Sequence, residues 1–391
     1  MSTPLLLQDN FENKVCDSNA NKKPKITKSK SSYPGFNELL GRKVRGWVCE
    51  EIIGKGTFGV IYKCFKKLNE DNDKKTFGAL KAEDQTKQST HIVKEIRILE
   101  ALRRTKRGCD FFAEVLEFGE KRKFKFVITT LFGMNLFDIL IKMPNQRIAF
   151  RTWIRVAINV LQGLEILHSK KLIHMDLKPA NIIVDYQCIK RHNEIIVRII
   201  DFGLAKHLQY SNAEEIPISL EPTNPITKKD TPIWMGSIFH CSPHIHRGCE
   251  PSYRDDVFSW LYVTMDLYKE LPWSPADTEA NIAKKKINSN YNVYKDYFPS
   301  EVVSVINDVI ENPSNKPPQY NTILTKLKIC MDNNSITWGE ECQWDAFFKP
   351  QNTTQKPINP TLKQTDVPDS EKKKLTDNNV PGPNISERTK K

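Results

Sequence analysis

No run of 18 apolar residues occurs in the 391-residue chain, so no membrane-spanning helix is expected. The one apolar cluster near the start, leucines 5–7, is too short for the core of a secretory signal. Nine cysteines are scattered without regular spacing. That argues against a disulfide framework and fits a reducing compartment, cytoplasmic or nuclear. No aromatic residue follows Phe348, so the last forty residues have little to bury. There is no internal repeat.

What is present is a core-forming middle between two basic ends. Hydrophobic residues make up 39% and charged residues 27%, so a core can form under a polar surface, and the length suits one large two-lobed domain or two ordinary ones. Two thirds of the net charge of +12 lies in residues 1–43 and 349–391. The first segment carries Lys22, Lys23, Lys25, Lys28 and Lys30 with no apolar periodicity. The last carries Pro350, Pro357, Pro360, Pro368, Pro381 and Pro383. Both are expected to be disordered, solvated tails (1–43 and 346–391) around a domain at 44–345. Basic tails can contact nucleic acid or acidic lipid. Tail charge is the only support for that, and neither nucleic acid nor membrane is an expected partner.

The middle reads as strand-rich first and helix-rich later. Residues 47–53, 60–65, 77–82 and 124–130 have β-type composition. Residues 90–103 carry Ile92, Ile96 and Leu99 at helical spacing. Residues 153–168 and 257–267 are apolar enough to be buried helices.

Gly54-Lys55-Gly56-Thr57-Phe58-Gly59 stands between two strands. Glycines let a backbone approach a polyphosphate closely. In a dinucleotide fold a helix follows such a run at once; here Val60-Ile61-Tyr62 continues as a strand, which predicts a nucleotide flap with Ile61 as its roof. Lys81 lies among apolar neighbours on the next strand and needs an anion, for which Glu95 is the candidate. The decisive segment is His174-Met175-Asp176-Leu177-Lys178-Pro179-Ala180-Asn181, then Asp201-Phe202-Gly203 after a β-type run. It offers an Asp to accept a hydroxyl proton, a Lys two residues on to meet a moving phosphate, and an Asn and a second Asp to hold a metal.

These residues together resemble a eukaryotic protein kinase over about 44–345. Within that superfamily the chain resembles the casein kinase 1 group, closest to its tau-tubulin kinase branch and nematode-type relatives. Cys241-Ser242-Pro243-His244-Ile245-His246 stands where most kinases have Ala-Pro-Glu, and the Glu is absent, as it is in that group. Tyr253-Arg254-Asp255-Asp256-Val257-Phe258, Leu271-Pro272-Trp273, Phe298-Pro299-Ser300-Glu301 and Gln343-Trp344-Asp345 carry the rest of the likeness.

The resemblance implies an α+β, two-lobed protein-kinase fold: a small β-rich N-lobe (about 44–131) and a larger helical C-lobe (about 132–345). It implies a Ser/Thr protein kinase, an enzyme using ATP and Mg2+ on protein substrates, expected as a monomer. The alternative is a kinase-fold scaffold with little turnover. Asp176 and Lys178 are the implied catalytic residues, and Asn181 and Asp201 the Mg2+ ligands. Ile53, Gly54, Lys55, Gly56, Thr57, Phe58, Gly59, Ile61, Ala79, Lys81, Glu95 and Thr129 are the implied ATP-binding residues, with Asp256 bracing the catalytic loop. Two positions depart from the family. Met175 replaces the Arg that commonly meets an activation-segment phosphate, so switching through that contact is not expected. Phe239 replaces a basic side chain that helps relatives read acidic or pre-phosphorylated substrates, which puts that preference in doubt.

Overall fold

The computed structural model describes residues 35–56, 59–69, 72–85, 91–186, 194–208, 236–312 and 316–348. Both expected tails, apart from 35–43 and 346–348, lie outside these residues.

The first part is a six-stranded antiparallel sheet. Its strands are β1 (Lys43–Val44), β2 (Trp47–Gly56), β3 (Gly59–Asn69), β4 (Asn72–Asp84), β5 (Val115–Lys121) and β6 (Phe124–Thr130). They lie in the order β1-β2-β3-β4-β6-β5. Tyr62, Cys64, Leu80, Ala82, Phe126 and Ile128 pack one face into a core. Alternation along β4 therefore turns Ala79, Lys81 and Glu83 to the opposite face. Helix α1 (His91–Arg103) follows β4. Ile92, Glu95, Ile98, Leu99 and Leu102 recur at three- and four-residue steps and form its buried side.

The second part is helical. Helix α2 (Leu136–Lys142) is capped by Asn135, whose side chain accepts the Asp138 amide. Helix α3 (Phe150–Ser169) and helix α4 (Tyr253–Tyr268) are its centre. Both are largely buried, and the buried positions include polar side chains such as Arg155, Asn159, Asp255 and Asp256. Trp260 on α4 donates to the carbonyl of Ala157 on α3, and Trp153 donates to the carbonyl of Thr264, so each indole N–H is satisfied by the facing helix. Helices α5 (Glu279–Ile287), α6 (Ser300–Glu311) and α7 (Tyr320–Asn333) extend this part, with one-turn helices at Pro243–His246 and Asp345–Phe348. Short strands β7 (Leu172–Ile173), β8 (Ile182–Val184), β9 (Val197–Ile199) and β10 (Lys206–His207) pair as β7 with β10 and β8 with β9, which brings the loops 174–181 and 200–205 together.

The strands and helices expected at 47–53, 60–65, 77–82, 90–103, 124–130, 153–168 and 257–267 all occur, several of them longer than expected.

Candidate active site

Lys81 is the first anchor. Its strand position aims Nζ away from the sheet core, where it donates to Glu95 Oε2 on α1 at 2.9 Å and to Asp201 Oδ1 at 2.9 Å. Burial alone would drive this ammonium down, but the two carboxylates hold it well above the ordinary lysine range. Burial likewise opposes the charge on Asp201, and Lys81 outweighs it, leaving that carboxyl below its usual range. One side chain thus ties β4, α1 and the segment after β9 together across 120 sequence positions.

Asp176 is the second anchor. Its Oδ2 accepts Lys178 Nζ at 2.7 Å and Asn181 Nδ2 at 3.2 Å, and Asn181 Nδ2 also reaches the Asp176 carbonyl at 2.8 Å. The Ser237 amide donates to Oδ1 at 2.9 Å. Both carboxylate oxygens are therefore held by donors. The loop itself hangs on Asp256 of α4, whose carboxylate is buried and accepts the amides of His174 at 2.6 Å and Met175 at 3.0 Å and His168 Nε2 at 2.8 Å. Burial opposes its ionisation, but these donors keep the Asp256 carboxyl below its usual range. His174 Nδ1 accepts the Asp176 amide at 3.3 Å, so Nε2 carries the proton toward the Ile200 carbonyl at 3.2 Å. Met175 and Asp201 both sit in the left-handed region, with φ of 68° and 65°. Strain of this kind persists where the surroundings over-determine the backbone, and both positions are so held.

Asn181 and Asp201 are adjacent because the Ile200 amide donates to the Asn181 carbonyl at 3.0 Å. Asn181 turns its amide nitrogen to Asp176, which leaves its side-chain oxygen for another partner. An amide oxygen beside a carboxylate is the donor set a hard divalent cation takes.

The glycine strip divides by role. A Cβ on Gly59 would lie 2.2 Å from the Ala82 carbonyl, so this glycine is required by the close approach of β3 to β4. A Cβ on Gly56 would meet nothing within 4 Å, and one on Gly54 only the Ile61 side chain at 3.4 Å. Gly54 pairs with Ile61, Ile61 with Lys81, and Ala79 with Thr129, so these candidates occupy neighbouring rungs of β2, β3, β4 and β6. Ile53 is 45% exposed and Lys55 is also exposed at the end of β2. Thr57 and Phe58 lie outside the described residues.

Met175 fills an apolar gap. It is buried with Ile173, Cys241 and Ile245, against Leu204, Leu208, Ile238 and Tyr253. Phe239 packs on His240 and Trp273, and its carbonyl accepts the Trp273 indole at 2.9 Å. Phe202 is buried edge-on to Phe112.

Several contributors had no signal in the sequence. The Ser237 amide is a backbone group 61 positions from Asp176. Phe348 presses on Gly133, where a Cβ would come within 2.8 Å of its ring, and stacks on Tyr186. Lys94 Nζ donates to the Gly203 carbonyl at 2.9 Å. None of these belongs to a compact motif.

The protein kinase domain model matches residues 47–338. A Caenorhabditis elegans protein named as a serine/threonine-protein kinase is 24% identical over 78% of this chain and 83% of its own length. Another from the same organism, named as a casein kinase I, is 27% identical over 78% of this chain and 84% of its own. An Encephalitozoon cuniculi protein named as a casein kinase I homolog is 29% identical over 63% of this chain and 71% of its own. Among solved structures, vaccinia related kinase 3 matches with a TM-score of 0.56 and 18% identity, covering 81% of this chain and 96% of that one, a likeness of fold. The β sheet followed by helices is the protein kinase fold, and the chain belongs to the protein kinase family.

Proposed function

We propose that this chain is a serine/threonine protein kinase of the casein kinase 1 type, of the tau-tubulin kind within it, transferring the γ-phosphoryl group of ATP to protein hydroxyls. The observation that carries the reading is the pair of anchors: Lys81 closed on Glu95 and Asp201, and Asp176 sharing one carboxylate with Lys178 and Asn181. Lys81 holds the α- and β-phosphates, and Glu95 keeps it in place. Ile53, Gly54, Lys55, Gly56, Thr57, Phe58, Gly59 and Ile61 cover the nucleotide, while Ala79 and Thr129 line the purine side.

The substrate hydroxyl oxygen bonds to phosphorus as the bond to the ADP oxygen breaks. Asp176 orients that hydroxyl and takes its proton, and Lys178 meets the charge spread over the moving phosphoryl oxygens. Asn181 and Asp201 would hold Mg2+, which supplies charge to offset the triphosphate. The kinase domain spans about 44–345. Met175 and Phe239 were the sequence features that favoured a scaffold without turnover. Both have packing roles in the structure, and neither disturbs the two anchors.

The test is labelled-phosphate transfer from ATP to casein and to a tubulin-associated protein, wild type against Asp176→Asn. Incorporation by wild type that falls by orders of magnitude in the variant supports the proposal. Equal incorporation would sink it.

A further inference from the structure

Lys286, on α5, is 1% exposed. A buried ammonium is costly unless its charge is compensated, and compensation normally comes from a carboxylate. Among the described residues no carboxylate lies within ion-pairing distance of it. Its Nζ instead donates to the carbonyls of Ile238 at 2.6 Å and Cys241 at 2.7 Å, and lies 3.3 Å from His246 Nε2. Burial pushes His246 down to about 4, so at neutral pH that ring is uncharged and can accept. The rings of Trp273 and Tyr262 present their faces at 5.2 and 5.4 Å. Three N–H bonds thus meet these acceptors, with Cys241 Sγ a further contact at 3.7 Å, and the cation is enclosed by two aromatic rings.

Those carbonyls belong to the turn 237–241. The Phe239 carbonyl between them is held by Trp273. The Ser237 carbonyl accepts the amides of His240 and Cys241, which closes the turn on itself. The turn sends the Ser237 amide outward, where it donates to Asp176 Oδ1. A buried cation with no ion-pair partner among the described residues therefore directs its charge at the segment whose Ser237 amide holds the proposed base.

We infer that Lys286 is a positioning residue for phosphoryl transfer: it fixes the turn 237–241 from beneath, with Trp273 as second clamp, and so sets the Ser237 amide that orients the Asp176 carboxylate. This rests on the kinase reading above. It also assigns Lys286 away from reading substrate phosphates, since its donors are all turned inward. A misplacement of a catalytic group by about 1 Å can cost about a hundredfold in rate, so loosening this turn is expected to act on turnover.

The test uses the full chain, as wild type, Lys286→Met and Trp273→Phe, with Asp176→Asn as the inactive reference. Turnover on casein, KM for ATP, nucleotide affinity and amide hydrogen exchange are measured on each. Lys286→Met should lower kcat at least tenfold, leave ATP affinity within twofold, and speed exchange in 236–241 but not in 172–184. Trp273→Phe keeps an aromatic ring and loses one donor, so it should show a smaller change of the same kind, and it stands in if Lys286→Met does not fold. Wild-type kcat in Lys286→Met, or losses in kcat and ATP affinity that are equal and recover together on cooling, would overturn the inference. Wild-type turnover no higher than that of Asp176→Asn would instead overturn the kinase reading, and the positioning role with it.

Discussion

Met175→Arg restores the side chain that most kinases carry at this place, and the structure predicts that it damages the protein. Met175 is 4% exposed among Ile173, Cys241 and Ile245. An arginine there would bring a guanidinium with five donors into a wall of aliphatic side chains. Leaving a buried charge uncompensated costs about 3–5 kcal/mol. Against a typical total stability of about 5–15 kcal/mol, that is a large share. A domain of about 300 residues unfolds with an entropy of roughly 0.6 kcal/mol/K, so a loss of about 4 kcal/mol lowers the melting midpoint by about 6 °C. The assay is thermal unfolding followed by tryptophan fluorescence, with kcat measured well below the midpoint. The variant should melt several degrees lower and turn over no faster than wild type, whether or not wild type has been treated with phosphatase. An unchanged midpoint together with a severalfold gain in kcat would refute the reasoning, because it would mean the guanidinium reaches a phosphate from this position.

Asp256→Asn replaces a charged acceptor of three donors by an amide, and an NH2 group must then face one of them. Hydrogen bonds to a charged group contribute about 1.5–3 kcal/mol each, so the loss should be about 2–4 kcal/mol in denaturant unfolding, with kcat reduced and ATP affinity retained. Burial pushes Lys286 down to about 8 from an unfolded value near 10.5, so between those values the unfolded chain binds more protons and stability rises with pH. Wild type should therefore gain about 2 kcal/mol relative to Lys286→Met between pH 7 and pH 10, and a flat difference would contradict the burial. Gly133→Ala places a Cβ 2.8 Å from the Phe348 ring and 3.0 Å from the Val184 carbonyl. Stability in denaturant unfolding should fall by about 1–2 kcal/mol, as overpacking at such contacts costs, and Phe348→Ala in the same chain should recover part of it.

How much of this was legible in the sequence depends on separation along the chain. Asp176, Lys178 and Asn181 fall within six residues, and one short turn brings them together, so their order in the sequence already describes their geometry. The Lys81–Glu95 pair needed one further inference: a lysine facing away from a strand's apolar core requires an anion. Strand β5 escaped notice because its exposed positions carry Leu116 and Phe118, so its alternation points the wrong way. Lys286 lies in a run of three lysines that reads as a solvated helix face, yet Lys284 and Lys285 are exposed and Lys286 is buried. Its partners are 40 to 48 positions away, and two of them are carbonyls, which carry no side-chain signature. Met175 reads in the sequence as a lost regulatory contact, and the apolar cluster around it, drawn from three separate segments, is what shows that it fills a gap.

The central claim is that Lys81 places the nucleotide and Asp176 performs the chemistry. Nucleotide affinity and casein phosphorylation measured on the same preparations of wild type, Lys81→Met and Asp176→Asn test it most directly. The account predicts nucleotide binding near wild type but turnover lower by orders of magnitude in Asp176→Asn, and weakened productive ATP placement in Lys81→Met. Turnover in Asp176→Asn equal to that of wild type would contradict it.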